Sequence, residues 1–168
     1  MNLLILNWRD IRHSWAGGSE LYIHELAQRW VKAGNKVTLF CGQDIDNKLP
    51  ERETIDGIKI VRKGGRFSVY IWAFIFYFKE FRKNIDTILD VENGVSFLTP
   101  LYSRKKIICL VYHVHGNQFF YEVEFPFSYI GYFIENKVVI CIVYSFIYSL
   151  YSTCYLVTHK KTAPDKEA

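Results

Sequence analysis

Short apolar runs alternate with stretches of helical periodicity along most of this chain. Residues 3–7 (Leu-Leu-Ile-Leu-Asn) are apolar and bounded by polar neighbours, the mark of a buried parallel strand. From Ser19, apolar residues recur at Ile23, Leu26, Ala27, Trp30 and Val31, which predicts a helix over residues 19–33 with Gly34 as its left-handed cap. Residues 37–41 read as a second strand, residues 42–56 as a polar loop, and residues 58–61 as a short alternating strand after Gly57. Residues 68–82 are densely aromatic and would suit a strand by propensity, but their place in the alternation assigns them to a helix. Residues 87–90 and 107–112 complete the strands, with a loop and short helix over residues 94–102 between them.

Strand and helix in strict turn imply an α/β fold, a Rossmann-like doubly wound parallel sheet covered by helices on both faces. In such sheets ligands bind beyond the carboxyl ends of the strands, and Asn7, Cys41, Asp90 and His113 all fall near such ends. The aromatic helix could pack on the sheet or lie at a membrane interface between its flanking cations. Core packing is favoured, because so uniformly apolar a helix lacks a strong polar face.

Composition narrows the class. With 168 residues there is room for one domain and an appendage, and 50% hydrophobic residues support a substantial core. The net charge of +4 is modest but gathered at residues 62–66, 82–83 and 104–106, which suits anionic lipid, phosphate or plain solvation. No stacking motif or recognition helix supports a nucleic-acid partner. The four cysteines show no Cys-x-x-Cys spacing, and no basic segment with an apolar core opens the chain, so a reduced, cytoplasmic setting without structural metal is expected. His113 and His115, two apart at a strand end, would share a face, but no third ligand stands nearby. Residues 138–158 carry no charge and are long enough to span a bilayer, although their many hydroxyls make a mediocre span.

Between the first strand and the first helix lie Asn7-Trp8-Arg9-Asp10 and Ala16-Gly17-Gly18-Ser19-Glu20. A strand, a glycine pair and a helix start form a ready anion site, since the first helical N–H groups lack partners and point outward. The loop has neither the Gly-Lys-Ser/Thr of a Walker loop nor Gly-x-Gly-x-x-Gly, which argues against a nucleoside triphosphatase and a dinucleotide dehydrogenase.

Together with the stretch from Asp90 to Tyr102 and with Tyr112-His-Val-His-Gly-Asn-Gln-Phe-Phe120 followed by Ile134-Glu135, these motifs resemble the N-terminal domain of retaining GT-B glycosyltransferases of the glycosyl transferases group 1 type, over residues 1–139. The resemblance implies transfer of a sugar from a nucleotide-sugar donor to a saccharide or lipid-linked acceptor in surface polysaccharide synthesis, with no further cofactor and no protein-bound metal. It implies a histidine contacting the reacting sugar region, His115 first and His113 second. Gly17, Gly18 and Ser19 would bind the donor's diphosphate, and Asn7, Arg9, Asp10 and Asn117 the acceptor, although Arg9 and Asp10 could equally pair with each other. Glu122, Glu124 and Glu135 are further candidates for acceptor contact or a base. The acidic motif of the family's donor-binding domain has no counterpart, so residues 140–168 are expected to be a frameshift product or a membrane-associated segment that packs poorly on the domain. The fragment alone is then expected to be inactive. The rival reading is a non-catalytic, membrane-associated binding module at the inner face of the membrane.

Overall fold

The computed structural model describes residues 1–93, 95–113, 119–122, 124–133 and 154–158. Among these residues, seven strands form one sheet in the order β3-β4-β2-β1-β5-β6-β7. They are β1 (Asn2–Leu6), β2 (Lys36–Cys41), β3 (Arg52–Ile55), β4 (Ile58–Arg62), β5 (Thr87–Asn93), β6 (Lys106–His113) and β7 (Cys154–Thr158). All pairings are parallel except that of β3 with β4. The expected α/β sheet is therefore present, and its central strands are buried on both sides, as the apolar runs require.

Helix α1 (Gly18–Lys32) covers one face and α2 (Ser68–Phe76), extended by a π-helical turn (Tyr77–Phe81), covers the other. The period-two alternation of β1 divides its side chains between the two cores. Ile5 packs with Ile23 and Ala27 of α1, and Leu4 and Leu6 pack with Val69, Ala73 and Phe76 of α2. Chain order reverses between β1 and β5, with β2 and β4 laid to one side and β6 to the other, so a crevice opens at their carboxyl ends.

Three expectations change. First, the polar loop over residues 42–56 contains strand β3, which pairs antiparallel with β4 through Asp56-Gly57. Both turn residues have positive φ, +50° and +80°, as the tight turn of a two-residue hairpin requires. Second, α2 is neither wholly core nor wholly interfacial: Val69, Ala73 and Phe76 are buried, whereas Ile71 and Phe74 stay exposed. Third, part of the uncharged tail does have a place in the domain. Cys154–Thr158 pairs with β6, from Ile107 opposite Cys154 to Val111 opposite Thr158, and so covers what would otherwise be an open edge.

Candidate functional site

The crevice at the point of reversal is built around the start of α1. Gly17 is the N-cap in an extended conformation, and both Gly17 and Gly18 are exposed. Neither glycine is needed for internal packing, since an added Cβ would meet its nearest atoms only at 3.7 Å: Glu20 Oε2 for Gly17 and the Tyr112 hydroxyl for Gly18. What their small size provides is an uncovered backbone facing outward. The Gly17 N–H donates to Glu20 Oε2 at 2.7 Å, while the N–H groups of Gly18, Ser19 and Glu20 have no acceptor among the described residues. The Glu20 carboxylate, at the dipole-favoured end of the helix, is fully covered and pairs with Arg9 at 3.2 Å. That pair is neutral, so Glu20 does not cancel the attraction of the open N–H groups for an anion.

The neighbouring strand ends close around this turn. Asn93 at the end of β5 donates from Nδ2 to Ser19 Oγ at 3.1 Å, and the same residue lies opposite His113 in the β5–β6 ladder. Asp90, also on β5, is buried and accepts from Phe97 N at 3.0 Å, Thr99 N at 3.2 Å and Thr99 Oγ1 at 2.7 Å. Burial raises its pKa in spite of these bonds. Asp90 fixes the loop after β5 instead of facing ligand.

The loop from β1 to α1 is held from below. The buried Asn7 accepts from Trp8 N at 3.0 Å and donates to the Arg9 carbonyl at 2.8 Å, folding its amide onto its own loop. Asp10 accepts from Arg62 Nε at 2.5 Å, Arg12 N at 2.7 Å and Cys41 Sγ at 3.3 Å. Burial pushes the Asp10 pKa up, but the hydrogen bonds from Arg62 and Arg12 and the Arg62 charge outweigh it and leave the carboxyl below its usual range. Burial and the Asp10 charge drive the Cys41 thiol well above its usual value, which keeps it a neutral donor. Arg62 is itself buried and also pairs with Glu53 of β3 at 2.5 Å. Arg62 therefore leaves the basic surface cluster to which the sequence assigned it.

Beside this loop lies a cavity of about 150 Å³ walled by Trp8, Trp15, His13, Ile45, Asp46 and Arg66. The Trp8 and Trp15 rings meet edge to face at 6.4 Å, and the guanidiniums of Arg9 and Arg66 lie 4.4 and 5.9 Å from the Trp8 centroid. His13 Nδ1 accepts from Trp15 N at 3.1 Å, which puts the ring proton on Nε2. Asp44 at the base accepts from Ser14, Asp46 and Asn47 N–H groups, which hold its pKa far below the usual range against the effect of burial. Aromatic walls with Arg66 and the carboxylates of Asp44 and Asp46 in the lining suit a neutral ring carrying hydroxyl groups.

Of the residues expected at the site, Gly17, Gly18, Ser19 and Arg9 come together at the crevice, with the end of β6 at His113 beside them. Arg9 and Asp10 do not pair with each other; each has a separate partner, Glu20 and Arg62. His115 and Asn117 lie outside the described residues, as does Glu135. No group of three or more potential metal ligands occurs among the described residues. The sequence reading missed the cavity formed by Trp8, His13 and Trp15. Its sequence signal was the concentration of two tryptophans and a histidine within one strand–helix loop.

Residues 16–143 match the family model described as Glycosyltransferase Family 4. No curated protein and no solved structure matches the chain significantly.

Proposed function

Since the match over residues 16–143 shows that the chain belongs to Glycosyltransferase Family 4, we propose that it takes part in transferring a sugar, with retention, from a nucleotide-sugar to a saccharide or lipid-linked acceptor in surface polysaccharide assembly. The carrying observation is the exposed Gly17–Gly18 backbone at the head of α1, with open N–H groups beside the ends of β5 and β6. As the donor's bond to the diphosphate breaks, charge accumulates on the leaving phosphate oxygens. Oriented N–H donors that need no rearrangement stabilise that charge most effectively. Ser19 keeps its hydroxyl on Asn93 and contributes its backbone N–H. His115, with His113 as second choice, is assigned to the reacting sugar region.

The acceptor enters, on this reading, past Arg9 and Asn117 with one sugar ring in the tryptophan-walled cavity. Asn7 and Asp10 set the shape of that wall from beneath. At about 150 Å³ the cavity is smaller than the roughly 300–1,000 Å³ of a whole-ligand pocket, which suits a single ring of a larger acceptor. A second domain would grip the donor's nucleoside, so residues 1–139 by themselves should bind diphosphate but turn over negligibly, because orientation supplies several kcal/mol of the barrier lowering.

The test is titration of the chain with uridine and guanosine diphosphates by NMR. Saturable shifts at Gly17, Gly18 and Ser19, weakened at least tenfold by Gly17→Val, are expected. Shifts confined to other residues would remove the diphosphate assignment.

A further inference from the structure

The outer face of α2 carries a second feature, on the flank of the domain. Phe67, Ile71, Phe74 and Phe78 follow one another at intervals of four, three and four residues, so they line one helical stripe, and all are exposed. Ile71 is 64% exposed, and Leu101, 63% exposed, comes from the loop before β6. Phe74 packs on Phe78 at 5.0 Å and on Tyr102 at 5.3 Å, which ties the stripe to that loop in one apolar surface.

Cations frame this surface at both ends. Arg66 lies over the Phe67 ring at 5.6 Å and Arg82 over Phe78 at 5.8 Å. Below Phe78, a recess of about 640 Å³ is lined by Arg82, Arg104 and Lys105 together with Tyr77, Phe78 and Tyr102. None of these three cations has a carboxylate partner among the described residues. The two acids nearest them in the chain are committed elsewhere, Glu80 to Arg52 at 2.6 Å and Asp86 to the Asn2 N–H at 2.7 Å. An apolar stripe with uncompensated positive charge at its margin matches one kind of surface: hydrocarbon beneath a layer of anionic headgroups. The described residues contain no helix long and apolar enough to cross a membrane.

We propose that the outer face of α2 docks on a bilayer containing anionic phospholipid, with Ile71, Phe74, Phe78 and Leu101 entering the headgroup boundary and the recess of Arg82, Arg104 and Lys105 holding a phosphate headgroup. The inference rests on the lipid-linked form of the acceptor reading. It adds a geometric consequence: Arg66, just before α2, lines both the stripe and the tryptophan-walled cavity, so a sugar on a lipid carrier would leave the bilayer next to that cavity.

Co-sedimentation with vesicles of phosphatidylcholine alone, and of phosphatidylcholine mixed with phosphatidylglycerol, tests this. The chain should pellet with the anionic vesicles only. The triple variant Arg82→Ser, Arg104→Ser, Lys105→Ser should bind them on the order of a hundredfold more weakly, given about 1 kcal/mol for each basic residue near a charged bilayer. Ile71→Ser with Phe74→Ser should weaken binding at least tenfold at unchanged charge, and both variants should keep the circular dichroism of the parent. Equal binding to both vesicle types, or a triple variant that binds like the parent, would overturn the proposal. So would release from vesicles by millimolar inorganic phosphate at constant ionic strength, which would mark the recess as a site for a soluble anion. Nucleoside diphosphate titration of the same variants reports on the crevice independently, so failure of either reading is visible by itself.

Discussion

Asp10 shows how a single residue's surroundings decide its role. Its position after a strand suggested a ligand contact, yet its carboxylate is buried against Arg62 and a thiol. Replacing Arg62 by Ala would leave that charge buried without a partner, and a loss of about 3–5 kcal/mol is expected by urea denaturation. The double variant Asp10→Leu with Arg62→Met should recover most of it; a double variant no more stable than Arg62→Ala would show that the pair is not the cause. The same groups set the acid limit of the fold. Asp10, Asp44 and Asp56 are all held below the usual carboxylate range. A depressed folded pKa contributes stability that is complete above the unfolded value near about 4 and is lost as pH falls through the folded one. Asp90, raised by burial, acts in the opposite sense. Melting temperature should therefore fall as pH drops below about 4, more steeply in the parent than in Asp10→Asn. A flat profile from neutral pH to pH 3 would contradict the assignment.

Among the elements, the β3–β4 hairpin shows what sequence reading can overlook. Arg52-Glu-Thr-Ile55 has little apolar content, but Asp56-Gly57 before an alternating run is a strong short-range hairpin signal. The hairpin also serves the site, because Glu53 of β3 reaches both Arg62 and Arg12 and so braces the loop that carries Arg9. At Gly57, φ is +80° and an added Cβ would come within 2.7 Å of Val31 Cγ1. Gly57→Ala should cost about 1–3 kcal/mol, read as a lower midpoint in chemical denaturation. An unchanged midpoint would mean that the turn relaxes without strain.

At the scale of the whole molecule, the sheet runs across the boundary at which the sequence set its tail apart. Strand β7 pairs along five residues of β6 and protects that edge. Removing residues 154–168 should expose Ile107–Val111 of β6 to pairing with other chains, so light scattering on storage should rise and the melting temperature fall. A truncated chain that stays monomeric and equally stable would show that the edge needs no cover.

The sequence alone determined the alternation of strands and helices, a sheet covered on both faces, and the glycine turn at the head of α1. Each of these rests on local periodicity or on backbone groups whose needs are fixed within one turn of chain. Tertiary structure decided the rest. Only the meeting of β1, β2 and β4 turned Asp10 and Arg62 inward as a pair, although in one dimension Asp10 reads as a ligand contact and Arg62 as part of a basic cluster. Only the packing of α2 on the sheet separated its buried aromatics from its exposed ones, because a helix apolar on nearly every side carries no signal of which side faces water. The place of Cys154–Thr158 beside β6 depended on an unpaired strand edge more than forty residues away in the chain, and no window of sequence contains that edge.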